Sequence, residues 1–505
     1  MGSNDIVFGL LDVSAAIRDP LVASKYRDFT LSWSRYGYRG PVIEAETLEG
    51  ILARALARGS RFCLIQAYGH IIRETWIPGH WGREDFHSLL ARSVRDEDFL
   101  VRGWLVGGGS DWYGLDPRCC LVNLEVYRRL GAPPLSAGLG VETEVPQCDA
   151  AASSSRAEGI EALVPDPRGG TRMATPRRFA WSLIALSLRH GIAVRSLHES
   201  FGRLTLSLEP EDRARTRAFA RYLRDGLSQY ERGADAELGP GQVEFLDLMD
   251  TQTKNARRGV FLFNIEPYAD VETPPSGFES PVTTLYSVAA GFKPNRILAT
   301  HGMGSDTRVV YFDYSRRALE VRRRIVEGWD GADFPAFIRT LFEEFPHTDT
   351  HYFMWADLSP LEVDWGDVER MWAGELERWG GAAAFAEHWR AYSRLEHEYL
   401  CLDIVDQAPE LLARIRPEAR AAVWWSNAFF TMYSNWHRTG DQRRDRYERW
   451  SEGLARRAPE ILVYGSDYNN VSVNSVRAAE YWRRYREGGG TPLEPCSINS
   501  HSIRM

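Results

Sequence analysis

The chain is 505 residues long, too long for one hydrophobic core, since single cores stop growing at roughly 250 to 300 residues. Its 44% hydrophobic and 26% charged composition is that of a folded globular protein and excludes a disordered chain. A formal net charge of −8, with the basic residues scattered rather than gathered into a stripe, argues against a nucleic-acid partner.

In chain order, DIVFGLLD, a connection to GPVIEA, the helical pattern TLEGILARALARG and RFCLIQAYG read as an alternation of strand and helix. Such alternation builds parallel sheets, so the fold class expected is α/β, with helices flanking a mainly parallel sheet in each of two domains. DFLVRGWLV and CCLVNL add strands, and a loop of three glycines, 107 to 109, stands between them. Residues 143 to 176 are rich in Ser, Ala, Pro and Gly and read as a surface excursion. FAWSLIALSLRHGIAVRSL gives helix then strand again, so the domain boundary is placed near residue 240, after a charged helical stretch. The expected domains are therefore 1–240 and 241–505. No window approaches the roughly 18 uninterrupted apolar residues of a membrane span, and no basic stretch precedes an apolar run at the start. The six cysteines form no C-x-x-C pair, which fits free thiols and a cytoplasmic setting.

The second half carries seven apolar runs, GVFLFNIE, LYSVAAGF, RVVYFDYS, HYFMWADL, EYLCLDIV, AVWWSNAFF and EILVYGSD, separated by amphipathic helical stretches, and predicts a doubly wound sheet. In such sheets a ligand lies beyond the carboxyl ends of the strands. Ala289, Ala290 and Gly291 form a small-residue turn that lets backbone approach a ligand, and Asp313 closes the next strand 22 residues after Gly291, where a carboxylate can accept hydrogen bonds from ribose hydroxyls. His397, beside Glu398 and ahead of Asp403, is a candidate general base because its pKa lies near working pH. Asn427, after Trp424-Trp425-Ser426, and Asp467, Asn469 and Asn470 in YGSDYNN offer donors and acceptors suited to a polar substrate, as well as to turns. His347, Asp349 and His351 would share one face if extended, but with no distant third ligand a metal is not expected.

On VAAGF and YFDYS the second half resembles the class I S-adenosylmethionine-dependent methyltransferases, with EYLCLDIVDQAPELLARI similar to the family's fourth strand and following helix and AVWWSNAFF to its fifth. The resemblance implies S-adenosylmethionine as cofactor, held by Ala289, Ala290, Gly291, Phe292, Asp313, Tyr314 and Ser315. It places Gly291 beside the methionine part, Asp313 on the ribose, and Asp403 near the methyl group as base with His397. The implied substrate is a small polar or glycosylated molecule; the hydropathy separately predicts no membrane partner. The first half weakly resembles the GT-A glycosyltransferases through RFCLIQAYGH and YGLDPRCCLVNLEVYRRLGAP, but Ala67-Tyr68-Gly69-His70 stands where that family carries Asp-x-Asp. That second resemblance implies nucleotide-sugar binding near Asp12, His70 and Asp111. A noncatalytic binding or assembly protein is the third expectation.

Overall fold

The computed structural model describes residues 5–17, 19–37, 41–72, 86–95, 98–106, 114–135, 179–197, 201, 204–208, 216–264, 268, 271, 281–353, 363–417, 420–469 and 471–488. The chain divides into two compact units, residues 1–246 and 247–505. Both are α/β, the class expected from the alternation of apolar runs and amphipathic helices.

In the first unit, β1 (Ile6–Leu11), β2 (Val42–Ala45), β3 (Phe62–Ala67), β5 (Val101–Val106) and β6 (Gly114–Asn123) form a sheet of order β2-β1-β3-β6-β5. β1 pairs in parallel with β2 and β3, whereas β6 runs antiparallel to both β3 and β5. The parallel part needs crossovers, supplied by the helices Pro20–Gly37 and Leu48–Ala57. Thr47 opens the second of these by accepting a hydrogen bond from the Gly50 N–H, and Ile51, Leu52 and Ala55 bury one face. A short antiparallel pair joins β4 (His70–Ile72) to β7 (Thr205–Ser207). After the helix Trp181–Arg189 the expected strand is reduced to one parallel bridge, Arg195 to Arg102.

In the second unit all seven apolar runs form strands, but not one sheet. The main sheet has the order β12-β10-β9-β13-β14-β15, from β9 (Val282–Val288), β10 (Met303–Asp313), β12 (Glu396–Cys401), β13 (Ala421–Trp424), β14 (Leu462–Ser466) and β15 (Ser472–Arg477). Every pairing is parallel except β14 with β15. β8 (Gly259–Phe261) and β11 (His351–Phe353) pair in parallel with each other as a separate ribbon. The expected strand count is corrected accordingly: EYLCLD supplies the third strand of the main sheet rather than the fourth, and AVWW the fourth rather than the fifth.

Strand side chains alternate between faces, and each face has its own core. Leu285, Val309, Tyr311, Trp424 and Tyr464 face one cluster, and Tyr286, Val310, Phe312, Val423 and Val463 the other. The first cluster contains an aromatic nest in which the Phe292 ring meets Phe334 at 4.9 Å, Phe385 at 5.5 Å and Trp372 at 5.7 Å between centroids. Trp389 donates its indole N–H to the Trp329 carbonyl at 2.9 Å, so the polar edge of this ring is satisfied within the nest. Phe292, expected from the resemblance to touch a cofactor, is 0% exposed and belongs to this nest. Replacing it with alanine should cost about 3–5 kcal/mol of stability, measured by chemical denaturation; a loss within about 1 kcal/mol would contradict its place in the core.

Candidate functional site

The main sheet turns at one topological point. From β9 the chain moves outward through β10 to β12, then returns to place β13 on the other side of β9. In open α/β sheets the crevice beyond the carboxyl ends of the strands at such a point is where ligands bind.

Asp313 ends β10 beside this point. Its Oδ1 accepts the Ser315 N–H at 2.8 Å and its Oδ2 the Ala289 N–H at 3.4 Å, so one carboxylate ties the ends of β9 and β10 together. The Tyr314 N–H also acts on this carboxylate, whose acceptor capacity exceeds these three bonds. Burial pushes the Asp313 carboxyl up to about 7; the backbone N–H groups oppose that rise and the neighbouring Asp403 adds to it. Ser315 is committed elsewhere, because its hydroxyl caps the helix Arg316–Gly328 through the Ala318 N–H and donates to the Gly259 carbonyl at 2.8 Å. Tyr314 lies parallel to Tyr433, with ring centroids 5.6 Å apart. Burial, then the charges of Asp313 and Asp403, push its phenol well above the ordinary range.

Asp403 follows β12 and starts the helix Ile404–Arg414, accepting the Val405 N–H at 2.9 Å. Its carboxylate also receives Arg438 at 3.4 Å, and Arg438 pairs with Asp406 as well. Burial raises the Asp403 carboxyl, against the pull of the Val405 N–H and Arg438. Arg446 adds a second cation on Asp406 at 2.8 Å. Asp313, Tyr314, Asp403, Tyr433 and Arg438 therefore form one polar cluster at the carboxyl edge. Tyr433 and Arg438 carry no signal in the sequence: the helix Met432–His437 that presents them is six residues long and has no acidic or glycine punctuation.

Other expected residues lie elsewhere. His397 begins β12, opposite Val309, whereas Asp403 lies beyond the strand's other end. The two are six residues apart along extended chain, roughly 20 Å, so His397 is corrected from partner of Asp403 to a group at the opposite edge. The turn at Gly291 is also built inward. The Gly291 N–H donates to the Phe261 carbonyl at 3.1 Å, and the Gly291 carbonyl accepts from Arg322 at 2.8 Å. Of the small-residue turn, Ala290 is half-buried next to the site, whereas the Ala289 side chain is 2% exposed in the same core cluster as Phe292 and only its N–H meets Asp313. Asn427 follows Ser426, which holds φ +52 at the end of β13, a left-handed conformation uncommon for a residue with a side chain. Asp467 is 0% exposed, and its Oδ1 accepts the N–H groups of Asn469 and Val471, both at 2.8 Å. Asp467 and Asn469 thus organise the β14–β15 turn; Asn470 lies outside the described residues. His347 to Thr350 form a turn that leads into β11 at His351, with the Asp349 and Thr350 N–H groups both donating to the Pro346 carbonyl, so the three side chains do not align as on one strand. No group of three or more metal-binding side chains occurs among the described residues.

In the first unit, Asp12 follows β1 and accepts the Ser14 N–H at 2.8 Å. Arg27 holds Glu44 through two hydrogen bonds, and Tyr68 donates to the same carboxylate at 2.8 Å. His70 is 5% exposed on β4; burial pushes its pKa down to about 4. Asp111 lies outside the described residues. No helix among the described residues is long and apolar enough to cross a membrane. No family model matches the chain, and no curated protein does either.

Asp313 carries a pH signature. Between its ordinary value of 3.8 and about 7, the native state keeps a proton that the unfolded chain has released. Its contribution to stability therefore falls as pH rises through that window, by about 1.4 kcal/mol per unit. Denaturant unfolding of Asp313→Asn and of the native sequence at pH 5 and pH 7.5 should show the variant gaining relative to the parent at the higher pH; a pH-independent difference would contradict the raised carboxyl.

Proposed function

We propose that the second unit binds S-adenosylmethionine at the carboxyl edge of β9 and β10 and transfers its methyl group to a small polar acceptor, in a cytoplasmic setting. The observation that carries this reading is the Asp313 carboxylate at the end of β10, set against the Ala289 N–H beside the switch point of the sheet. Its remaining acceptor capacity suits a ribose hydroxyl, and the half-buried Ala290 is small enough for a ligand to approach the backbone.

The bound cofactor supplies an activated methyl on a sulfonium. The chain's part is to orient it towards an acceptor nitrogen or oxygen, whose lone pair forms the new C–N or C–O bond as the C–S bond breaks and S-adenosylhomocysteine leaves. Asp403 is the base of this reading: burial raises its carboxyl, which makes it a better acceptor for the proton that the nucleophile sheds. His397 has no part in it. The half-buried Tyr314 and Tyr433 rings and Asn427 would border the acceptor.

Ribose hydroxyls donating to Asp313 favour its ionised form, so binding should expel a proton. Calorimetric titration with S-adenosylhomocysteine should give affinity that weakens about tenfold per unit as pH falls below about 7. Asp313→Ala should abolish both the binding and this dependence. Binding that Asp313→Ala leaves intact would overturn the assignment. Nucleotide-sugar binding without it would move the chemistry to Asp12 and the first unit, and the absence of both would favour a noncatalytic role.

A further inference from the structure

Two turns into the helix Arg316–Gly328, Arg322 is 2% exposed. Its Nη2 donates to the Gly291 carbonyl at 2.8 Å, while Nε and Nη1 are buried without a hydrogen-bond partner among the described residues. None of the ion pairs among the described residues involves Arg322, so this guanidinium is buried there without a counter-charge. An enclosed cation in this position is strongly unfavourable unless an anion and hydrogen bonds meet it.

The groups around Arg322 are polar too. Its Cζ lies 5.6 Å from the centre of the Tyr311 ring. Tyr311 stacks on Tyr399 at 5.8 Å and on His397 at 6.3 Å, and its hydroxyl is hydrogen-bonded to that of Tyr392. The Tyr399 hydroxyl and the His397 Nε2 are buried without partners among the described residues. His397 Nδ1–H donates to the Leu395 carbonyl at 2.9 Å, and burial keeps the ring neutral, with its pKa pushed down to about 4. Nε2 therefore presents a lone pair. The register pairs Tyr311 with Tyr399 and Val309 with His397, so both β12 side chains share one face, two residues or roughly 7 Å apart along the strand. Arg322 acts electrostatically on both the His397 ring and the Tyr399 phenol, so the three groups share one neighbourhood. His397 and Tyr399 are half-buried residues of the outermost strand. There Arg323 lies over the Tyr399 ring at 4.7 Å and adds positive charge, opposed by Glu327, which acts on the same phenol.

We propose that Arg322, Tyr399 and His397 form a site for a compact oxyanion that still carries an O–H, of the hydrogenphosphate class. The guanidinium and the phenol donate to its oxygens, and the His397 lone pair accepts its hydroxyl. Sulfate has the same size and shape but no proton to give, and an unmatched lone pair facing it selects against it. The site runs from Arg322, which holds the turn at Gly291, to the side chains of β12, and stands independently of the methyl-transfer reading.

The test is calorimetric titration of the full chain at pH 7 with sodium phosphate, and with sodium sulfate at matched ionic strength. Phosphate should bind saturably and sulfate about tenfold more weakly or not at all; Arg322→Lys should weaken phosphate about tenfold, because it loses the planar fork. Tyr399→Phe, at a half-buried edge position, should weaken it severalfold while leaving the far-ultraviolet spectrum unchanged, and His397→Phe should erase the preference over sulfate. If Arg322→Lys does not fold, the latter two variants decide. No saturable phosphate binding, or binding that Tyr399→Phe and His397→Phe leave unaltered, would overturn the site; equal binding of phosphate and sulfate would overturn the role given to the His397 lone pair.

Discussion

Three hydrogen bonds meet around Gly291: its N–H reaches the Phe261 carbonyl, its carbonyl takes the Arg322 guanidinium, and Asn264 Oδ1, lying under it, accepts the Lys293 N–H at 2.6 Å. The chain passes this point at φ +47, and a Cβ there would stand 2.1 Å from Asn264 Oδ1. The requirement for glycine is therefore double, in backbone conformation and in space. Phe292, the residue before the helix Lys293–His301, offers no side-chain cap, so Asn264 performs that task from a distant part of the chain. The same few atoms bind the β8–β11 ribbon to the main sheet, start a helix, and set where Ala289 lies relative to Asp313. A side chain at position 291 would disturb all three at once.

This explains what the sequence could and could not disclose. Apolar runs bounded by turns identified every strand of the second half except β15, because burial on both faces demands continuous apolar stretches, whereas SVNSVR at the sheet margin is mostly polar. They could not show that β8 and β11 pair apart from the rest, since pairing is decided by tertiary packing and not by composition. Gly291 was legible as a glycine that must stay small, but its reason is Asn264, 27 residues earlier, and no local pattern connects the two. His397 and Asp403 look like neighbours in the sequence; strand geometry sends them to opposite edges. Asp313 was legible because strand ends in this topology face a crevice, whereas its bond to Ala289 and its raised carboxyl emerge only once the two strands lie side by side.

The acidic groups at the mouth of the sheet are graded by their surroundings. Burial pushes the Asp313 carboxyl up to about 7 and raises that of Asp403 as well. At Asp406 burial acts in the same direction, yet hydrogen bonds from Arg438 and Arg446 outweigh it and draw the carboxyl below its usual range. Arg438 is shared between Asp403 and Asp406, so a change in the charge of one alters how firmly the other is held. Three carboxylates of similar intrinsic acidity thus differ in proton affinity within one cluster, the condition under which one can remain a fixed anchor while another exchanges protons.

The two ends of the main sheet are finished differently. On one side β15 turns back antiparallel along β14. On the other, β12 has no further strand beside it among the described residues, yet it is not an apolar ribbon: Glu396 pairs with Arg308 at 3.2 Å and Glu398 with Arg414 at 2.9 Å. An incoming strand of another molecule would have to strip water from these ions as it formed its ladder. The margin is thereby protected against accidental lateral growth into fibrillar assemblies.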